Sequence, residues 1–187
     1  LFAIMAGLSL FTLSASADPG VNIKVDGGKE KVRIVDAGKG ELKGRKVNEF
    51  RTDFQAPVSD EWKNYKMEFL AQKSGPLTIH IEGYWASSPE EQEPILIDSI
   101  KVNGKLMKNG AFKYTFPHGG KKYPNGFWYI KKAEFLPNGG QDGTPAVKVF
   151  YDCPLMFSYK VVENKPYVFE FCLLYTSPSP RDKRQSR

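Results

Sequence analysis

Apolar and polar side chains alternate along most of this chain, in short runs whose period is that of a strand. In KNYKMEFLA, Tyr65, Met67 and Phe69 fall on one side of an extended backbone while Lys66 and Glu68 fall on the other. LTIHIEGYW repeats the pattern, with Leu77, Ile79 and Ile81 set against Thr78, His80 and Glu82. The same period runs through VNIKV (Val21, Ile23, Val25), KVRIV (Val32, Ile34), SIKV (Ile100, Val102), AVKVFY (Val147, Val149, Tyr151), MFSYKV (Phe157, Tyr159, Val161) and YVFEF (Tyr167, Phe169, Phe171). Apolar residues never keep helical spacing for more than a turn or two. Strands with one wet and one dry face fit antiparallel sheets laid face to face, because parallel sheets need strands apolar on both sides and crossover helices. The expected fold is all-β, an antiparallel β-sandwich.

Turn chemistry agrees. Asp26-Gly27-Gly28, Asn103-Gly104, Asn109-Gly110, Asn125-Gly126 and Asn138-Gly139 supply residues that tolerate positive φ between the runs. Burying half a dozen of the large side chains, at ~1.5–3 kcal/mol each, is the scale on which a domain of this size offsets its chain entropy.

Both ends depart from the alternation. LFAIMAGLSLFTL (residues 1–13) is uncharged, apolar and too short to span a bilayer, and it leads into the small residues Ser14-Ala15-Ser16-Ala17. Residues 1–17 are therefore expected to be a signal peptide removed after Ala17. The mature chain is then secreted, extracellular or on the cell surface, or periplasmic, with no membrane contact after cleavage. At the other end the period stops at Cys172. CLLYTSPSPRD (residues 172–182) resembles one translated frame of a transposase sequencing adaptor, and Ser186-Arg187 matches the constant bases beyond a short index. Residues 172–187 are expected to be a non-native tail, the natural chain continuing differently past Phe171.

Setting that tail aside changes the charge picture. It holds Arg181, Lys183, Arg184 and Arg187 against Asp182, so the formal charge falls from +6 to +3 without it. It also removes Cys172, which leaves Cys153 alone and no native disulfide expected.

A boundary is readable in PILIDSIKVNGKLMKNGAF, which closes one strand pair and restarts at Asn109-Gly110-Ala111-Phe112. Here, and in EWKNYKMEFLAQKSGPLTIHIEG, the chain resembles secreted carbohydrate-binding modules of the jelly-roll, galactose-binding-like type. Those modules commonly end on Ile-Asp-Asp-Ile/Val, similar to Ile97-Asp98-Ser99-Ile100, and open on Asn-Gly-Ser/Asp-Phe-Glu, similar to Asn109-Gly110-Ala111-Phe112-Lys113. The resemblance covers most of residues 50–171 through short motifs. It implies a first module over 18–106 and the truncated start of a second over 107–171; one sandwich over 18–171 is the other layout the pattern allows. Members often hold a structural calcium with the opening Glu and closing Asp. Lys113 and Ser99 stand at those places, so the resemblance does not carry calcium over, and no cofactor is expected.

Residues able to carry catalysis are sparse. His118-Gly119-Gly120 is similar to an esterase oxyanion loop, but no Gly-x-Ser-x-Gly accompanies it, so residues 117–120 read as a turn. Glu90, Glu91 and Glu93 sit in ASSPEEQEP, a Pro-flanked polar loop that lacks the rigid carboxylate pair of a glycosidase. Two histidines at unrelated positions and one native cysteine do not make a transition-metal site. Asn138-Gly139-Gly140-Gln141-Asp142-Gly143 is oxygen-rich, yet calcium takes about six to eight oxygens and this loop alone supplies too few. No catalytic or metal-ligating residue is assigned, and the chain is not read as an enzyme.

The aromatics are the stronger signal. Tyr84 and Trp85 end a strand before the acidic loop, and Phe127, Trp128 and Tyr129 follow the Asn125-Gly126 turn. Partly exposed rings at strand ends stack on the apolar faces of sugars while neighbouring polar groups take the hydroxyls. These five are the candidate ligand-binding residues, with Trp62 and one of the 127–129 trio expected in the core. The expected partner is a polysaccharide or other glycan. Nucleic acid is not expected, because the corrected charge is modest and most lysines are scattered among acids. Lys121-Lys122 and Lys131-Lys132 do bracket the trio, which leaves an acidic polysaccharide open. A structural or adhesive spacer, or the leading part of a secreted glycoside hydrolase, are the competing readings, since a sandwich fold implies no function.

Overall fold

The structure is a computed structural model, described over residues 20–26, 32–34, 42–47, 51–57, 59–83 and 93–175. Fifteen strands form there: β1 Gly20–Asp26, β2 Val32–Ile34, β3 Lys43–Lys46, β4 Arg51–Pro57, β5 Lys63–Ala71, β6 Gly75–Glu82, β7 Ile95–Val102, β8 Lys105–Leu106, β9 Thr115–His118, β10 Lys121–Pro124, β11 Trp128–Tyr129, β12 Glu134–Leu136, β13 Ala146–Val149, β14 Leu155–Val161 and β15 Pro166–Tyr175. One sheet has the order β11-β14-β6-β1-β4-β3 and a second β12-β13-β7-β15-β5-β2, with β8 added on β7 and β9-β10 standing as a separate hairpin. Every strand pair is antiparallel. The fold is an all-β sandwich.

The alternation read from sequence is what fills it. Tyr65, Met67 and Phe69 of β5, Leu77, Ile79 and Ile81 of β6, and Tyr167, Phe169 and Phe171 of β15 are all buried in one continuous core. The two sheets meet through their rings: Phe157 of β14 lies 6.3 Å, centroid to centroid, from Phe169 of β15. Phe169 in turn stacks on Phe69 and Phe171 along the second sheet.

The topology corrects the expected division at 106/107. β14 pairs with β6 across the whole of Gly75–Ile81, and β15 lies between β5 and β7, hydrogen-bonded to both. Strands from the two sides of the expected boundary therefore interleave, and without β15 the second sheet would be split between β7 and β5. The Asn109-Gly110-Ala111-Phe112 stretch, read as a module opening, is instead a connection clamped onto β7. Ile100 N–H donates to the Gly110 carbonyl, and a Cβ on Gly110 would stand 2.3 Å from the Ile100 oxygen, so only glycine fits this approach. The Asn109 amide donates to the Tyr114 and Asn125 carbonyls and its oxygen accepts from Tyr114 N–H.

The strand does not end at Cys172, although its alternation does. β15 continues to Tyr175, with Cys172, Leu173 and Tyr175 buried, and the register against β7 slips between Cys172 and Leu173. A bulge of this kind puts successive side chains on one face, which is why the two-residue rhythm breaks there. Whether these residues are native or adaptor-derived stands apart from their placement.

Candidate functional site

Past the Asn109 clamp the chain turns back on itself as β9 and β10. Gly119 and Gly120 at the tip have φ of +55° and +76°, the left-handed pair that a tight two-residue hairpin demands. Register places Phe116 opposite Tyr123 and His118 opposite Lys121. Facing residues share one side of the ladder, and the Phe116 and Tyr123 rings stack 5.7 Å apart. That side of the hairpin meets β11. Trp128 lies 5.4 Å from Phe116 and at 6.0 Å from His118, both near-perpendicular, and 5.4 Å from Tyr123.

Strand alternation then sorts the 127–129 trio. Phe127 is 1% exposed and packs edge-on against Phe112 and near Phe157, so it is a core residue and leaves the candidate platform. Tyr129 is also buried; it stacks on Tyr123 at 4.4 Å and its hydroxyl donates to the Lys122 carbonyl. Burial raises its phenol above the ordinary tyrosine value. Trp128 is 49% exposed. Tyr84 and Trp85 lie outside the described residues, and Trp62 is half-buried. Phe116 and Tyr123 escaped the sequence reading, and His118, read there as part of a turn, ends β9; alternation of Phe116/His118 and Lys121/Tyr123 about the Gly119-Gly120 tip is the signal that pairs them.

A basic rim adjoins the rings. Lys121 donates to the Lys131 and Ala133 carbonyls and stands 5.7 Å from the Tyr129 ring centre. Lys132 lies 4.2 Å over Phe150, with Lys148 at 5.5 Å from the same ring. A pocket of about 310 Å³ opens among Lys121, Lys122, Tyr129, Lys132, Glu134 and Phe135. Glu134 is engaged by Lys148 at 3.5 Å, and Asp152 by Lys131 at 3.4 Å.

Elsewhere, polar groups are tied up in the fold. Asp98 accepts from Gln141 N–H and the Thr144 hydroxyl, both at 3.1 Å, and so anchors the oxygen-rich 138–143 loop to β7. Glu82, expected on a wet face, is 2% exposed and paired with Lys24. Burial outweighs that lysine and raises its carboxyl above the usual range. Glu93, read as part of a solvated loop, is buried too, while Glu90 and Glu91 lie outside the described residues. Both cysteines are free and buried. Among the described residues no three His, Cys, Asp or Glu gather as metal ligands, and no helix is long and apolar enough to cross a membrane. Comparison with known protein families, with curated proteins and with solved structures finds no match.

Proposed function

We propose that this protein is a secreted, non-catalytic carbohydrate-binding module, with Trp128 as the ring on which a sugar stacks. The observation that carries the reading is the half-exposed indole held by three other rings on a rigid hairpin. A ring already fixed in place loses little rotamer freedom when a ligand lies on it, so more of the stacking energy appears as affinity. Its open side is apolar and flat, and His118 at its border can take hydroxyls. Periplasmic or cell-surface display would serve the same role, and secretion rests on the leader-like residues 1–17.

The test is retention on a panel of soluble and insoluble polysaccharides. Trp128→Ala should keep the wild-type far-ultraviolet spectrum and lose about tenfold or more in affinity, the equivalent of ~1.4 kcal/mol. Trp85→Ala is the parallel variant for the other predicted aromatic pair. Retention unchanged in Trp128→Ala, or no retention of any glycan by the wild type, removes the platform.

A further inference from the structure

Resting on the platform reading, we infer that the glycan taken at Trp128 is anionic, its carboxylate or sulfate group lodging in the lysine-lined pocket beside the rings. The pocket starts where the ring cluster stops. Lys121 and Tyr129 line it, Tyr123 touches both Trp128 and Tyr129, and His118, the register partner of Lys121, touches Trp128. A chain lying across the indole and running on past Tyr123 would come to the Tyr129 side of the pocket.

Charge at this spot is one-sided. Lys121, Lys122 and Lys132 line it against one acid, Glu134, which Lys148 engages, and the adjoining Lys131 is paired with Asp152. The surplus is three cations, equal to the whole formal charge of residues 18–171, so acids and bases balance over the rest of that span. Among the described residues no carboxylate pairs with Lys122 or Lys132. Lys132 is steadied over Phe150, which leaves its ammonium positioned and uncompensated. An anion entering here needs no existing ion pair to break, and the low-dielectric walls of Tyr129 and Phe135 strengthen the attraction. A neutral sugar can accept hydrogen bonds from those ammonium groups but leaves their charge uncompensated. An extended nucleic acid is disfavoured because the cations form one compact group around a small pocket instead of a stripe along a groove.

The experiment measures wild type, Trp128→Ala and Lys122→Gln/Lys132→Gln against polygalacturonate, heparin, a neutral galactan, a neutral β-glucan and single-stranded DNA, at low salt and at about 0.5 M NaCl, where screening is nearly complete beyond contact. The wild type should bind polygalacturonate or heparin, and whichever is tighter assigns carboxylate or sulfate. Each variant should weaken that binding about tenfold, and salt should weaken it for the wild type more than for the lysine variant. Binding to a neutral glycan that needs Trp128 but ignores the lysines overturns the inference and leaves the platform standing. Polyanion binding that needs the lysines but ignores Trp128 is ion exchange and overturns it, as does DNA bound as tightly as the polysaccharide. No retention of any probe sinks both.

Discussion

Two groups of rings divide this molecule. The column formed by Phe69, Phe157, Phe169 and Phe171 lies between the sheets and is closed on every side, whereas Phe116, His118, Tyr123 and Trp128 lean on one another with the indole half open. Centroid spacings are alike in both. The difference is the support: sheet residues are covered by a second sheet, while the hairpin and β11 offer their rings backing from one direction only. Aromatic contact by itself therefore says nothing about function, and what separates a core ring from a recognition ring is the face left uncovered.

The largest test of that division is truncation within the column. Phe169→Ala should lower the unfolding free energy by about 3–5 kcal/mol, read from urea denaturation, because a fully buried ring leaves a cavity that two sheets cannot collapse into. Phe127→Ala should fall in the same range although it adjoins Trp128 in sequence, and a loss below about 1 kcal/mol would contradict its assignment to the core. Next comes the clamp that lets the hairpin stand where it does. Gly110→Ala should remove about 1–3 kcal/mol, since the added methyl meets the Ile100 carbonyl. Trp128→Ala should cost about 1 kcal/mol or less in the same denaturation series, about half of its surface being wet already. A stability loss as large as that of Phe169→Ala would erase the comparison.

The smallest effect concerns pH. Burial raises the folded-state pKa of Glu82 above its unfolded value, so the folded protein holds that proton more firmly. The stability linked to this group is complete below the unfolded carboxylate range and is lost as pH rises through the folded pKa. Glu82→Gln cannot ionise and escapes that loss. The unfolding free energy of the variant relative to wild type should therefore rise as pH climbs above the ordinary carboxylate range, and a flat difference would contradict a carboxyl raised by burial.

The strands were legible one at a time because alternation is local. KNYKMEFLA and YVFEF bury the residues that their period selects. Their neighbours were not legible, because β15 finds β5 and β7 across most of the chain and neither segment carries a mark of its partner. That is how a turn-rich connection at 103–112 came to read as a module boundary. The site was half legible for a related reason. Phe127-Trp128-Tyr129 announces rings, but a two-residue strand has too little period to say which of them faces out; its pairing with β14 and the cover provided by β9-β10 decide that. Glu82 shows the opposite failure, a polar position in perfect alternation that the surrounding chain covers all the same.

The place of β15 has a consequence for how the protein is made. The last of the described strands occupies the middle of its sheet, so without it β5 and β7 would each keep one unpaired backbone edge. Closing that slot joins segments far apart in sequence, which puts this sheet among the topologies that fold slowly and leave open edges in the meantime.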